Sequence, residues 1–331
     1  MKFVFFIFKS NHRRLTFNNF IKLKKIKNVK FFNLSGPFLS KIGRFIYYLN
    51  LSKNFYFISC DGNPFLKKKN SVNIWFGGTK FKISKNYSRF QNNFVTATNY
   101  FSKTKKFIQF YPCLIQEKII KKNPKIVLML NLIEINEKFS LKIWSIYKNL
   151  ILSDLSYIET DKFWEKQDLA GLSDKDKQKV YINLKVLLRI ELVKEIKKNF
   201  DKELIIVGND LKKFFPEALD SNYEPNFIKN LYDGNICIDL LAKDGSECLY
   251  PRSIQIIENN GILFQMHSKL SLDFYEEQTP NITFNSKQEM ISKLRLLLSG
   301  SNSKEISNFF IKKFNEKEFN YLIIQKLFNL I

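Results

Sequence analysis

Short apolar runs rich in Phe, Val and Ile alternate along the chain with longer amphipathic stretches, and this alternation constrains the fold more than any other feature. Repeated strand and helix units of this kind are typical of α/β proteins built on parallel sheets. At about 150 residues per domain, a chain of 331 residues predicts two domains, each large enough to bury its own core. The sequence therefore predicts an α/β protein with two parallel-sheet domains.

The alternation assigns individual segments to strands and helices. In the first half, we predict strands at residues 2–8, 29–34, 55–59, 72–75, 94–97 and 107–110, and helices at 15–27 and 37–49. In the second half, we predict strands at 125–130, 203–208, 236–240 and 262–264. We predict its helices at 174–199, 225–231, 251–259, 287–298, 304–314 and 317–330. Ser173 and Ser286 are the predicted N-caps of two of these helices, and a proline begins two others.

The basic residues are concentrated in the first part of the chain. Residues 1–122 contain 25 Lys and Arg but only two acidic residues, Asp61 and Glu117, and the remainder is neutral, so the whole net charge of +23 lies there. A step in charge at one position indicates that two units meet there. We therefore predict an N-terminal domain at 1–120, a C-terminal domain at 121–315, and a final helix at 316–331 that packs back on the N-terminal domain.

Biased codon usage explains scattered lysines, but it does not explain why acidic residues are missing from one part of the chain only. Two partners fit such a charge. An anionic membrane surface attracts basic residues at about 1 kcal/mol each, and a nucleic acid backbone also binds them.

The spacing of the cysteines and the length of the apolar runs indicate where in the cell the protein is expected. Cys60, Cys113, Cys237 and Cys248 stand too far apart for the CxxC pairs of a zinc site or a redox dithiol. No apolar run approaches the roughly 18 residues that span a bilayer. We expect a cytoplasmic protein with reduced cysteines, either free or peripheral at the inner face of the membrane through residues 1–122.

The segment at 236–264 contains the residues best suited to bind an anionic ligand. It reads as a strand, a loop, a helix that begins at Pro251 and Arg252, and a second strand. In a parallel sheet this order puts the helix N-terminus at the carboxyl edge, where free N–H groups and the helix dipole favour an anion by about 0.3–1 kcal/mol. Proline suits the first turn because it has no N–H to lose. Arg252 offers a planar fork for phosphate, and Lys243 in the loop is placed to reach the same anion.

This order of strand, glycine-containing loop, Pro-Arg, apolar helix, Asn260-Gly261 and apolar strand resembles the nucleotide-sugar domain of GT-B glycosyltransferases. It is most similar to the glycosyl transferase group 1 and spore maturation protein-like family, whose helix usually reads Pro-Arg-x-x-Glu before Gly-Gly. The resemblance covers about residues 178–313, including Val207-Gly208, and the first half only by pattern. It implies two Rossmann-like, doubly wound parallel-sheet domains that face a cleft.

The donor-binding residues that the resemblance implies are Gly208, Lys243, Tyr250, Arg252, Gln255, Glu258 and His267. Gln255 stands where the family has the Glu that holds the ribose hydroxyls, and a Gln accepts a hydrogen bond without the charge. Asn260 replaces the first of the paired glycines. Glu258 either substitutes for the missing Glu or is a solvated helix residue, and His267 either borders the donor or is a loop residue without function.

Two residues of the N-terminal domain are candidates for the catalytic base. His12 follows the first strand, and Asp61 follows the strand at 55–59. A neutral imidazole can take a proton from an acceptor hydroxyl near pH 7. The alternative interpretation, which a basic loop favours, is that His12 is a surface residue beside Arg13 and Arg14.

The sequence lacks the motifs of common metal, nucleotide and dinucleotide sites. It has two histidines and no HExxH, DxD, Walker A or GxGxxG motif. We therefore expect no metal and no cofactor, and a mechanism in which the helix dipole and Arg252 stabilise the leaving diphosphate.

The leading hypothesis is a glycosyltransferase that moves a sugar from a nucleoside-diphosphate sugar to a cell-surface glycan or lipid-linked acceptor, with no nucleic acid partner. The alternative is a non-catalytic GT-B-like protein or a nucleic-acid-binding protein. Gln255 favours the alternative, and so do the interleaved aromatic and basic residues at 85–90 and 105–111, because bases stack on aromatic rings while lysines follow phosphates.

Overall fold

Two parallel sheets organise the protein, one in each of two compact units. The computed structural model describes residues 1–7, 28–49, 51–60, 66, 68, 70–75, 94–96, 107–109, 121–132, 135–209, 211–222, 224–241, 251–267 and 275–313. Among the described residues, the first unit contains the first sheet and comprises those within 1–109, 251–255 and residue 313, and the second unit contains the second sheet and comprises those within 121–241 and 256–312. The prediction of an α/β protein with two parallel sheets is confirmed.

The first sheet has six parallel strands in the order β2-β1-β3-β4-β5-β6. They are β1 (Lys2–Ile7), β2 (Val29–Asn33), β3 (Phe55–Cys60), β4 (Ser71–Trp75), β5 (Phe94–Thr96) and β6 (Phe107–Gln109). Each strand end lies within one residue of its prediction. Helix α1 (Leu39–Leu49) follows β2 and begins two residues later than predicted. The helix predicted at 15–27 lies outside the described residues.

The described core of the first unit lies between β1, β3 and α1. It buries five side chains together: Phe5, Ile7, Tyr47, Phe57 and Leu66. A Cβ at Gly43 would lie 2.9 Å from the Ile7 side chain, so this glycine lets α1 approach β1 closely. At the C-terminal end of α1, Lys68 Nζ donates hydrogen bonds to the carbonyls of Tyr47 and Tyr48, where the negative end of the helix dipole favours a cation.

The second sheet has five parallel strands in the order β11-β10-β9-β7-β8. They are β7 (Ile126–Met129), β8 (Leu204–Val207), β9 (Ile236–Asp239), β10 (Ile262–Met266) and β11 (Thr283–Phe284). The first four confirm predicted strands, of which β10 extends two residues further than expected. Strand β11 was not predicted, and it pairs with the last two residues of β10.

Most described helices belong to the connections and flanks of the second sheet. They are α2 (Lys138–Ser153), α3 (Asp161–Trp164), α4 (Asp174–Phe200), α5 (Pro225–Tyr232), α6 (Pro251–Glu258), α7 (Thr279–Ile282), α8 (Lys287–Leu298) and α9 (Ser303–Lys313). Short 3₁₀ turns lie at Tyr157–Glu159, Leu211–Lys213 and Glu276–Gln278. Both predicted serine caps are confirmed, because Ser173 Oγ accepts the Asp176 N–H and Ser286 Oγ accepts the Glu289 N–H.

Both sheets share one strand order, in which the first strand of each unit lies between the second and the third. The chain therefore reverses its direction across the sheet at the β1–β3 pair and at the β7–β9 pair. Right-handed crossovers then place connections on both faces, and the fully buried strands β7, β9 and β10 agree with two covered faces. In such Rossmann-like sheets, ligands bind at the carboxyl ends of the strands beside the reversal point.

The predicted domain boundaries stay predictions. Residues 110–120, before the boundary predicted at 120, and residues 314–331, which include the predicted final helix, lie outside the described residues. Within the described part of the chain, every helix is too short or too polar to cross a membrane.

Candidate functional site

Helix α6 leads from β9 back to β10, its parallel neighbour, and its last turn is fixed against the sheet. The Gly261 N–H donates to the Ile256 carbonyl at 2.9 Å. A Cβ at Gly261 would lie 2.7 Å from the Ile256 side chain and 2.9 Å from Cys237 Sγ, so only glycine fits without a shift. Asn260 has a φ of 63°, in the left-handed region that Asn tolerates better than most residues. The replacement of a glycine by Asn260 therefore keeps this turn intact.

Helix α6 carries three of the predicted donor-binding residues, Arg252 and Gln255 near its start and Glu258 at its end. Arg252 and Gln255 are three residues apart and so are neighbours on the helix surface. Gln255 is buried, with 8% of its surface exposed, whereas Arg252 and Glu258 are partly exposed. All three interact with other groups of the chain. A partly exposed guanidinium in the first turn of a helix, where the helix dipole is positive, can hold an anion.

Gly208 ends β8 in close contact with the neighbouring strand. A Cβ at this position would lie 1.7 Å from the Leu130 carbonyl oxygen and 2.8 Å from Leu211 Cδ1. The Leu130 N–H donates to the Val207 carbonyl at 2.9 Å, which holds the two backbones together. The structure therefore explains this glycine by packing, and the predicted donor-binding role of Gly208 stays a prediction.

His267 directly follows β10 and lines an open cleft of about 500 Å³ in the second unit. Hydrogen-bonding side chains form most of the lining, from the turn before α7, from α7, β11 and α8: Glu277, Thr279, Thr283, Asn285, Glu289 and Lys293, together with Pro280. Because β10 and β11 end at the same edge of the sheet, this cleft lies at the carboxyl edge. His267 therefore lies at this edge, and its predicted place beside a donor stays a prediction.

The hydrogen bonds around His267 indicate which ring nitrogen carries the proton. Thr283 Oγ1 donates its single proton to the Thr279 carbonyl at 2.9 Å. It can therefore only accept from His267 Nδ1, which lies 3.4 Å away. This arrangement assigns the proton to Nδ1 and leaves Nε2 as a hydrogen-bond acceptor.

A pair of charged residues on α8 forms another wall of the cleft. Lys293 Nζ lies 2.6 Å from Glu289 Oε1 and donates to the Thr283 carbonyl at 2.7 Å. The Asn285 N–H donates to Glu289 Oε2 at 2.7 Å. Burial alone would raise the pKa of Glu289, but the hydrogen bonds from Lys293 and Asn285 hold it below its ordinary value of 4.5. Glu289 therefore stays ionised at neutral pH.

Carboxylates on α8 and on other elements affect the pKa of His267. Burial lowers the pKa of His267 below its ordinary value of 6.5 and outweighs the opposing effect of the Glu289, Glu159 and Asp154 carboxylates, while the Lys293 charge adds to the lowering. His267 is therefore neutral at pH 7 and able to accept a proton or a hydrogen bond.

We predict that acid destabilises the second unit through His267. Because its pKa is lower in the folded protein than in the unfolded chain, the unfolded chain takes up the proton first, and stability is lost as the pH falls from about 7 to about 5. His267→Asn keeps a donor near the Nδ1 position and should lose less stability than the wild type over this range. Unfolding at both pH values measures the difference. An NMR titration that gives His267 a pKa at or above 6.5 would contradict the prediction.

The remaining predicted site residues are not all placed. His12, Asp61, Lys243 and Tyr250 lie outside the described residues, as do residues 85–90, 105–106 and 110–111. Of the predicted residues that are described, only His267 lines the cleft. No group of three or more His, Cys, Asp or Glu side chains suited to a metal occurs among the described residues.

Sequence reasoning missed the polar groups that act on His267, which come from the segment after α2, the 3₁₀ turn at Tyr157–Glu159 and α8. Asn285 Nδ2 donates to Asp154 Oδ1 at 3.0 Å. Glu159 in turn accepts from the buried Lys185 Nζ at 2.7 Å and from the Tyr181 hydroxyl at 3.2 Å. One signal was present in the sequence: Lys185 stands four residues after Tyr181 in the long helix, between the apolar Leu184 and Val186.

Comparison with known proteins adds no assignment. The sequence matches no protein-family model, and no curated protein matches it.

Proposed function

We propose that the protein is a cytoplasmic glycosyltransferase of the GT-B type, which takes a sugar from a nucleoside-diphosphate sugar and transfers it to a glycan or lipid-linked acceptor. One observation carries the proposal. Helix α6, which begins with Pro251 and Arg252, follows strand β9 in the chain and precedes its parallel neighbour β10, and in a Rossmann-like sheet a helix in this order is expected to begin at the carboxyl edge.

The chemistry expected of this helix end is stabilisation of the diphosphate. Its N–H groups and dipole favour the negative charge that grows on the leaving group as the sugar is transferred. The Arg252 guanidinium adds charge-assisted hydrogen bonds worth roughly 1.5–3 kcal/mol. Neither contribution requires a metal ion.

The cleft beside His267 supports the same proposal. Its lining combines carboxylates, hydroxyls, an amide, an ammonium group and a neutral imidazole. Such a mixture of donors and acceptors suits a polyhydroxylated ligand better than a simple anion.

Replacing Arg252 with alanine is expected to weaken the binding of UDP or GDP by about tenfold to a hundredfold, as the loss of a charged hydrogen-bond partner implies. Calorimetric titration of the full chain with each nucleotide measures this. Arg252→Lys keeps the charge but not the fork and should lie between the wild type and the alanine variant. Arg295→Ala removes an exposed arginine on α8 and is the matched control, with no change expected. The proposal fails if neither nucleotide binds, or if Arg252→Ala binds as the wild type does.

A non-catalytic protein with the same nucleotide site is the second candidate, and Gln255 favours it. A neutral and buried side chain replaces the carboxylate that the resemblance associates with the ribose. Sugar turnover, assayed as UDP or GDP release from the corresponding nucleotide sugars, separates the two candidates. Nucleotide binding without release in either the wild type or Gln255→Glu would favour the non-catalytic protein.

A further inference from the structure

An apolar stripe runs along the exposed side of α1. Four large side chains at intervals of four, three and four residues form it: Phe38, Ile42, Phe45 and Leu49. Their exposed fractions are 72%, 38%, 65% and 48%. At about 100° per residue these positions fall on one side of a helix. Tyr48 and Leu51 are exposed beside them.

The stripe is not the side by which α1 packs on its own sheet. The buried positions of the helix are Ser40, Gly43 and Tyr47, on the opposite side. Gly43 is the point of closest approach to Ile7 of β1. Helix α1 is therefore apolar on both sides, and among the described residues of the first unit only Ser40, Gly43 and Tyr47 of α1 mark a covered side. Soluble proteins rarely expose contiguous apolar surface of this kind unless it binds something.

The charge around the stripe restricts what can cover it. Among the described residues before position 110, six side chains are basic and none is acidic. Two of the six, Lys41 and Arg44, belong to α1 itself. In the sequence, residues 1–122 hold the whole net charge of +23. The long side chains of Lys and Arg can extend past an apolar surface and place their charges at a polar boundary.

We propose that the apolar stripe is the site by which the protein lies on an anionic lipid bilayer. Helix α1 is about 16 Å long, so it fits in the plane of the interface, where the apolar residues enter the acyl boundary and the basic ones meet headgroups. The proposal is independent of glycosyl transfer, since it rests on α1 and the basic residues around it, none of which belongs to the proposed nucleotide site.

Two other partners fit the surface less well. A second copy of the chain would bring two strongly basic units face to face, and their like charges repel. A nucleic acid would neutralise the charge, and bases could stack on Phe38 and Phe45, but Ile42 and Leu49 offer no ring, so the aliphatic half of the stripe would stay exposed to water.

Vesicle co-sedimentation of the full chain tests the proposal. The wild type should bind vesicles of phosphatidylcholine with phosphatidylglycerol, bind phosphatidylcholine alone much less, and lose binding as salt is raised. The double variant Ile42→Gln/Phe45→Gln should bind the anionic vesicles about tenfold more weakly. Ile146→Gln/Leu150→Gln on α2 removes two similarly exposed apolar side chains from the neutral part of the chain and should bind as the wild type does.

Three results would overturn the proposal. They are absence of wild-type binding to anionic vesicles, equal binding by the wild type and the α1 variant, and a dimer in solution that the α1 variant dissociates. A thermal melt of each variant shows that it is folded, which is expected because the replaced side chains are exposed. Nucleotide binding by the wild type, measured on the same preparation, is a separate readout, so failure here leaves the proposed function standing and the reverse also holds.

Discussion

Replacing Gly208 with alanine will destabilise the second unit by about 3 kcal/mol or more, at the upper end of what an added methyl group costs in a packed interior. The new Cβ would lie 1.7 Å from the Leu130 carbonyl oxygen and 2.9 Å from its carbon. Both are backbone atoms, so no side-chain rotation relieves the overlap. Strands β7 and β8 must separate, although hydrogen bonds join them directly at this point.

The measurement is denaturant unfolding of the full chain, with hydrogen exchange of β7 and β8 to locate the effect. Two units need not unfold in one step, so local exchange is the more direct readout. Gly171→Ala is the matched control, because a Cβ added there would meet no atom within 4 Å and the φ of Gly171 is not left-handed. We expect it to change stability by about 0.5 kcal/mol at most. Equal exchange in the two variants would contradict the close approach of β7 and β8.

The sequence was most informative where a pattern repeats over several residues. The run Lys125-Ile-Val-Leu-Met-Leu130 can only bury its side chains as an interior strand, and β7 occupies its centre. Ser173 before two aspartates gives the start of α4, because a cap and an acidic first turn act locally. Strand β11 has two residues and no period of its own. Only its pairing with Gln265 and Met266 defines it.

The site was less predictable than the fold, because burial depends on residues far away in the sequence. The helix pattern placed Arg252 and Gln255 on α6, but nothing local indicates that Gln255 is buried while Arg252 is partly exposed. Glu289 and Lys293 read as an ordinary surface pair at i and i+4. Their role in the cleft arises from the return of the chain to β11, which brings α8 beside His267.

The second large loss of stability is expected when the buried ion pair of Lys185 and Glu159, near this cleft, is broken. Lys185 in α4 has a side chain that is 1% exposed, and its Nζ lies 2.7 Å from Glu159 Oε1, whose side chain is 27% exposed. The lysine ammonium is therefore the group that cannot regain water when its partner is lost. Glu159→Ala should cost about 3–5 kcal/mol, the penalty for an uncompensated buried charge. Glu217→Ala, which breaks the exposed pair with Lys197, is the control, and about 1 kcal/mol or less is expected.

The two halves of the pair should not be equivalent. Lys185→Met keeps the aliphatic stem and leaves Glu159 partly in water, so its cost should be about 1 kcal/mol, well below that of Glu159→Ala. The double variant Glu159→Gln/Lys185→Met has no buried charge and should recover most of the loss. Glu159 also supports the pKa of His267, so Glu159→Ala should lower that pKa further in an NMR titration. Equal losses in Glu159→Ala and Lys185→Met would show that desolvation of the lysine does not dominate. An unchanged His267 titration would show that the pair does not act on the cleft.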